Sequence, residues 1–377
     1  MRMVESIMQR SPEPWTIDPH KESQWEYTYG LVMKAVIEVW NTTGEDRFLN
    51  YVKAYYDRFI DKEGKISTYR LDEYNIDRIN PGKPLFALYR IFGDEKYRRA
   101  IQALRDQMKT HPRTSEGGFW HKKIYPLQMW LDGLYMACPF LAEYAGTFDE
   151  PVLFNDVANQ ILLMEKHARE EKTGLLHHGW DESRQQRWAD PESGVSSQFW
   201  GRAMGWYAMA LVDVLDFFPV SHPRRQEIVD VLNRLATAVT AVQDKETGLW
   251  YQVLDQGTRK GNYRESSASC MFVYALAKSV RKGYIHPAFN AIAQKGYQGI
   301  LDRFIEVDRA GRVNIHDACA VAGLGGKPYR DGSYDYYINE KKSSNDPKAL
   351  GPFILASLEM EAMPQGHSQG ERNPDKE

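Results

Sequence analysis

The sequence is short of cysteine. Only Cys138, Cys270 and Cys319 occur in 377 residues, an odd and widely spaced set. Such spacing supplies neither a disulfide framework nor a CxxC or Cys/His zinc pattern, and it suits a reducing compartment. An excess of either charge is also missing: 48 Lys and Arg face 51 Asp and Glu, a net charge of −3. Neither nucleic acid nor an anionic membrane surface is therefore expected as a partner. No stretch approaches the ~20 apolar residues of a membrane span. Residues 1–15 lack the apolar run of a secretory signal. The expectation is a soluble, cytoplasmic protein. There is no HExxH, no glycine-rich phosphate loop behind a strand and no His/Cys/Asp cluster with ligand spacing, so activity is expected to need no metal and no redox cofactor. No Pro/Gly/Ser-rich linker divides the chain. This argues for one domain over 1–364, followed by a polar tail, 365–377, expected to be disordered.

What the chain has in surplus is aromatic surface: 22 Tyr, 15 Phe and 10 Trp. So many rings either fill a large core or line a site for flat ligands such as sugar rings. The densest stretch, 117–136, holds two Trp, two Tyr, a His and one carboxylate. Pro126 suits the first turn of a helix, where its missing N–H costs nothing. Leu127, Met129, Trp130, Leu131, Leu134, Tyr135, Met136 and Phe140 make that helix apolar on most sides, which marks it as buried. Asp132 then falls about two turns from the helix start. A carboxylate there is costly unless it is paired or functional.

Helical patterns fill most of the chain. A polar lead gives way to a helix over 22–42, carrying Trp25, Leu31, Val32, Val36 and Val39 and ended by Gly44. A second helix runs from 45 to 59, Gly64 breaks it, and 65–69 reads as extended. The pattern then restarts near Pro84, and Gly93-Asp-Glu-Lys-Tyr97 echoes Gly44-Glu-Asp-Arg-Phe48. A second echo is a glycine after a helix, then a short apolar run often ending in His or Gln. It occurs at Gly64, Gly118-Phe-Trp-His121, Gly174-Leu-Leu-His-His178, Gly248-Leu-Trp-Tyr-Gln252 and Gly311-Arg-Val-Asn-Ile-His316. The intervals of 54, 56, 74 and 63 residues each hold two ordinary helices with loops. About six such hairpins would use up the chain, as a ring of inner and outer helices or as an open solenoid. In a ring the glycine–aromatic turns gather at one mouth, bringing His121 and His178 to the same end.

Further polar residues sit beside these turns. Asp77 lies in Asn75-Ile-Asp-Arg-Ile-Asn-Pro-Gly82, where it could cap the following helix. His178 lies in His177-His-Gly-Trp-Asp-Glu182, and Arg202 in Phe199-Trp-Gly-Arg-Ala-Met-Gly-Trp206. Trp200, Arg202 and Trp206 cannot all share one face of a regular helix. They converge only if the helix starts near Gly201 or Gly205.

Gly118-Phe-Trp-His-Lys122, Gln128-Met-Trp-Leu-Asp-Gly-Leu-Tyr-Met136, His178-Gly-Trp-Asp-Glu182, Phe199-Trp-Gly-Arg-Ala-Met-Gly-Trp206 and Gln243-Asp-Lys-Glu-Thr-Gly-Leu-Trp-Tyr-Gln252 resemble the unsaturated rhamnogalacturonyl hydrolases of glycoside hydrolase family 105. Glu265-Ser-Ser-Ala-Ser-Cys270, Tyr334-Asp-Tyr-Tyr337 and Ser344-Asn-Asp346 are similar too. The resemblance implies an all-α (α/α)6 barrel. It also implies release of a 4,5-unsaturated galacturonyl group from the non-reducing end of oligosaccharides left by polysaccharide lyases. An acid protonates C4, water adds at C5, and the hemiketal falls apart. By motif, the acid is Asp132 and the second carboxylate is Asp77. Tyr27, His121, Lys122, Trp130, His178, Trp200, Arg202 and Trp206 fall in substrate-contact positions. Near position 27, Thr28 stands where some relatives have His. A general acid must hold a proton at neutral pH, and an apolar surround and a second carboxylate are two devices that do so. Arg202 or a His would hold the uronate carboxylate. Other readings are an unsaturated glucuronyl hydrolase, an inverting glycosidase, a sugar epimerase on the same barrel, or a sugar-binding scaffold without turnover.

Overall fold

The computed structural model describes residues 1–18 and 22–363. The polar tail assigned to 365–377 lies outside the described residues. After α1 (Arg2–Arg10) come α2 (Tyr27–Thr43), α3 (Asp46–Phe59), α4 (Lys83–Phe92) and α5 (Glu95–Thr110). Strand β1 (Gln128–Trp130) leads into α6 (Leu131–Thr147) and α7 (Val152–Ala168). Strand β2 (Gly179–Asp181) is followed by α8 (Gly201–Val214), α9 (Arg225–Ala241), α10 (Ser266–Arg281) and α11 (Phe289–Arg303). The chain then passes through β3 (Ile305–Val307), β4 (Val313–Ile315), β5 (Ala318–Cys319), α12 (Tyr334–Asn339) and β6 (Lys342–Ser343) to α13 (Pro347–Ala362).

Burial sorts these helices into two layers. All of α8 is buried, as is nearly all of α6 and α10, whereas α5, α9 and α11 bury a single stripe. A helix apolar nearly all round needs neighbours on every side; one with a stripe needs them on one. The inner helices pack in the cyclic order α2, α4, α6, α8, α10, α13 and back to α2, each backed by an outer helix. The architecture is an (α/α)6 barrel, a closed ring and not a solenoid. No helix among the described residues is long and apolar enough to cross a membrane.

The lead expected to be merely polar contains α1, which packs on α13 and completes the outer ring. Met3, Val4 and Ile7 are buried, and Ser6 Oγ accepts from the Val313 N–H at 2.8 Å. Nine residues are too few for a stable isolated helix, so tertiary packing forms this one. The helix read over 22–42 begins later, at Tyr27, because Glu26 is extended and its carboxylate accepts from the Tyr27 N–H.

The recurring glycine turns join outer to inner helices. Gly64, Gly174, Gly248 and Gly311 all have positive φ, between 71° and 82°, and in the remaining turn Gly117, φ 92°, takes this role, not the Gly118 of the echo. At Gly248 a Cβ would also meet the Lys295 carbonyl oxygen at 2.5 Å. After each turn the chain pairs back across itself, as in the bridges Ile60–Ile66, Arg113–Phe119 and Arg169–Leu176. It then enters an inner helix at the same mouth of the barrel.

The start of α6 differs from the reading built on Pro126. Leu127 takes φ 61°, and Gln128–Trp130 pairs antiparallel with Gly179–Asp181. The helix therefore starts at Leu131, and Asp132 is its second residue, not two turns inside.

Beneath the mouth the barrel axis is filled. Tyr135 stacks on Trp206, with centroids 4.9 Å apart, and Lys83 Nζ lies 3.3 Å over the Tyr135 ring while donating to the Tyr135 carbonyl at 3.0 Å. Toward the other end Lys278 of α10 is clasped by Asp213 and Asp216, each at 2.6 Å, and Tyr274 donates to Asp213 at 2.6 Å.

Candidate active site

Each site residue sits at the mouth because an inner helix or its lead-in begins there. Tyr27 opens α2, Asp132 lies in the first turn of α6, Trp200 is the N-cap of α8 and Arg202 its second residue. Asp77 belongs to the short turn Ile76–Arg78 ahead of α4, and Asn75, not Asp77, provides the cap by accepting from the Asp77 N–H.

Two histidines and two carboxylates form the centre. Asp132 Oδ2 lies 3.1 Å from His178 Nε2, but the approach is off-line and neither atom closes a hydrogen bond. Such bonds often tighten only when substrate arrives. On the other side Asp77 Oδ2 is 2.7 Å from Lys122 Nζ, and Asp77 Oδ1 is 3.6 Å from His121 Nε2. Trp130 divides the pairs: His121 stacks on its face at 4.3 Å and 15°, and His178 meets it edge-on at 5.4 Å. The two histidines thus share one end of the barrel, as the ring reading required. Gly133 packs closely here: a Cβ would come 3.2 Å from His121 Nδ1.

Trp200 closes the other side, 4.8 Å from His178, with its indole N–H donating to Gln252 at 3.0 Å. The Arg202 guanidinium lies beside the Trp200 ring at 4.8 Å. It donates to the Cys319 carbonyl and approaches Ser267 Oγ at 3.4 Å. Burial opposes its charge, but Cys319, Glu265, Asp346 and Tyr27 outweigh that and raise its pKa. Burial pushes the Tyr27 phenol well above its usual range; Arg202 opposes this and Asp77 adds to it. These shifts place the starts of α2, α8, α10 and α13 within electrostatic reach of one another.

A model of Glycosyl Hydrolase Family 88 matches residues 1–364. The chain belongs to that family. It also resembles a solved family 105 glycoside hydrolase from C. acetobutylicum ATCC 824, with TM-score 0.92 and 45% identity over 96% of this chain and 98% of that one. The unsaturated rhamnogalacturonyl hydrolase YesR of Bacillus subtilis is 27% identical over 314 residues, 81% of this chain and 84% of that protein. An unsaturated glucuronyl hydrolase from Bacillus sp. GL1, at 15% identity and TM-score 0.64 over 88% of this chain and 86% of that one, shares the fold. The protein is a glycoside hydrolase, and the family 105 resemblance read from its motifs holds.

Within this hydrolase the site residues fall into two groups. Asp132, Asp77, His121, His178, Trp130 and Trp200 surround the centre. Lys122 is spent on Asp77: burial disfavours its ammonium, but that carboxylate raises its pKa overall. Trp206 lies a layer lower, 1% exposed, stacked on Tyr135 and 6.2 Å edge-on from Tyr27. Three neighbours carried no assigned role in the sequence reading. Glu265 accepts from Ser267 and from the Cys319 N–H, building the Arg202 seat. Tyr125 stacks on the free face of Trp130 at 4.9 Å and accepts from Arg330 at 2.8 Å. Tyr337 meets His178. The motif Tyr334-Asp-Tyr-Tyr337 was the sole sequence signal for that contact, which spans 159 residues.

His121 is 3% exposed, and burial pushes its pKa down to about 4, with Asp77 acting in the opposite direction. Burial does the same to His111 behind it, also to about 4. Both therefore fold neutral. Below the unfolded value of 6.5 the unfolded chain binds protons that the folded chain refuses. Stability is thus complete above pH ~6.5 and lost as pH falls toward ~4, by roughly 2–3 kcal/mol per histidine. Urea midpoints at pH 7 and 4.5 check this. His111→Gln should lose clearly less stability on acidification than the parent; an equal loss removes His111 from the account.

Proposed function

We propose that the protein releases 4,5-unsaturated galacturonyl groups from the non-reducing end of lyase-generated oligosaccharides, hydrating the C4=C5 bond with Asp132 as general acid. The observation that carries this reading is the pairing of each carboxylate with a different partner. Asp77 lies against an ammonium, which favours its charged form. Asp132 faces a histidine across an unclosed contact, at the apolar wall of Trp130. Two carboxylates in contrasting environments divide naturally into a fixed charge and a proton donor. Asp132 would give its proton to C4, leaving positive charge shared by C5 and the ring oxygen. Water would add at C5 and lose a proton to a carboxylate, Asp77 or the newly ionised Asp132. The hemiketal then opens and the remaining sugar leaves.

An anionic sugar suits this mouth. The inner helices around Arg202 present their positive N-terminal ends to it, and the Arg202 charge is firmly held. The likeness to YesR supports the rhamnogalacturonan product as substrate. Three buried free cysteines suit a cytoplasmic location, which belongs to the same proposal.

The test is a comparison of substrates. Unsaturated galacturonyl–rhamnose disaccharide should be cleaved, its saturated counterpart should not, and an unsaturated glucuronyl disaccharide should react more slowly. Cleavage of the saturated sugar at a similar rate would convert the assignment to an ordinary inverting glycosidase.

A further inference from the structure

We propose that Tyr337 is a positioning residue: its hydroxyl donates to His178 Nδ1, which leaves the Nε2–H of His178 for Asp132 Oδ2 and assigns the transferable proton of Asp132 to Oδ1. The catalytic half of this inference rests on Asp132 being the proton donor.

The contact is short and its partners are fixed. Tyr337 Oη lies 2.7 Å from His178 Nδ1. Its ring stacks on Trp200 at 5.7 Å and 24°, and its carbonyl accepts from Gln252 Nε2 at 3.0 Å. Gln252 in turn receives the Trp200 N–H, so Trp200, Gln252 and Tyr337 hold one another. His178 and Tyr337 are both fully buried.

The direction follows from what each atom can do. Burial pushes the phenol far above its ordinary range, so it keeps its proton. Among the described residues the hydroxyl bonds only His178 Nδ1. If Nδ1–H donated to the phenol oxygen, the phenol proton would have no acceptor, at a cost of about 1–3 kcal/mol. The phenol therefore donates, Nδ1 accepts, and the imidazole proton sits on Nε2. That proton lies on the side of Asp132 Oδ2, 3.1 Å from Nε2 but off-line, and neither atom has a hydrogen bond elsewhere to compete for it.

This arrangement has a use in the reaction. With Oδ2 reserved as acceptor, an acid proton on Asp132 belongs on Oδ1. When it leaves for C4, negative charge grows on the carboxylate and draws the off-line His178 N–H into a closed hydrogen bond. A neutral imidazole gives this help without taking a proton. The opposite tautomer would aim a lone pair at the forming carboxylate and oppose it.

The experiment uses full-length protein labelled with 15N-histidine, with His178→Gln identifying the His178 resonances. The wild type should show Nε2 protonated and Nδ1 bare. Tyr337→Phe keeps the stacked ring and removes only the hydroxyl. It should shift His178 toward the Nδ1–H form and lower kcat on the unsaturated disaccharide about tenfold, with KM within about twofold, the scale of one hydrogen bond. A packing role alone would move neither the tautomer nor kcat in isolation. An Nδ1–H or doubly protonated His178 in the wild type overturns the proposal, as does a kcat loss under about threefold or a loss carried by KM. Should Tyr337→Phe fail to fold, the wild-type spectrum still decides. A wild type that shows the Nε2–H form but leaves unsaturated disaccharides untouched overturns the substrate reading and supports the Tyr337–His178 arrangement.

Discussion

Asp132→Asn is expected to lose turnover by at least ~10²–10⁴-fold, the contribution of a positioned acid, while remaining folded and still binding unsaturated sugar. Asn matches Asp in size, and the first turn of α6 keeps its packing between Trp130 and Gly133. The Asn side-chain oxygen can still accept from His178 Nε2, 3.1 Å away in the parent. The Asp77–Lys122 pair is untouched. What disappears is an acidic proton for C4. Turnover on an unsaturated disaccharide, beside calorimetric binding and helix content by circular dichroism, separates these effects. Asp77→Asn should be impaired less if Asp77 orients water or supplies fixed charge. Near-normal turnover by folded Asp132→Asn would remove Asp132 from the mechanism and make Asp77 the leading acid.

The second large effect belongs to the opposite end of the barrel. Lys278→Met should destabilise the protein by about 3–5 kcal/mol, because it strands a buried charge. Asp213 is 4% exposed, and burial would hold its carboxyl neutral; Lys278 and Lys34 reverse that and keep its pKa low. Its stabilising share is present above the unfolded carboxylate range and lost as pH falls through the folded value. Without Lys278, Asp213 retains the Tyr274 hydroxyl bond but no partner ammonium in contact. Adding Asp213→Leu to Lys278→Met should recover more than half of the loss, since the stranded charge is gone and only the Tyr274 hydroxyl loses its partners. Urea unfolding of the three variants measures it. Equal instability of single and double variants would show that packing, and not the stranded charge, sets the cost.

The parts of the molecule legible in the sequence were those with local causes. Glycines at 64, 174, 248 and 311, and Gly117 beside the Gly118 of the echo, recur because an outer helix must turn left-handed before pairing back. That requirement repeats with the hairpin, so six pairs could be counted. Asp132 stood out because a carboxylate beside Trp130 and Leu134 needs a reason. Its place in the helix was misjudged because Pro126 has the chemistry of a first helical residue. What overrides it is a ladder to Gly179–Asp181, about fifty residues away, which holds Gln128–Trp130 extended. The Lys122–Asp77 pair was illegible for a similar reason: Asp77, 45 residues earlier, is brought to Lys122 only by folding. The Tyr337–His178 contact is more remote still. The helix α1 went unread because its stripe of Met3, Val4 and Ile7 is too short to give a period on its own.

The central claim is that water enters at C5 after Asp132 protonates C4, and one assay addresses it directly. Ultraviolet absorbance of the C4=C5 bond and newly released reducing ends are followed together, in one reaction, on the unsaturated galacturonyl disaccharide. The account predicts that absorbance falls in step with or ahead of the reducing ends, and that Asp132→Asn stops both. Reducing ends that accumulate while the absorbance persists would mean attack at C1 with the double bond intact, and would contradict it.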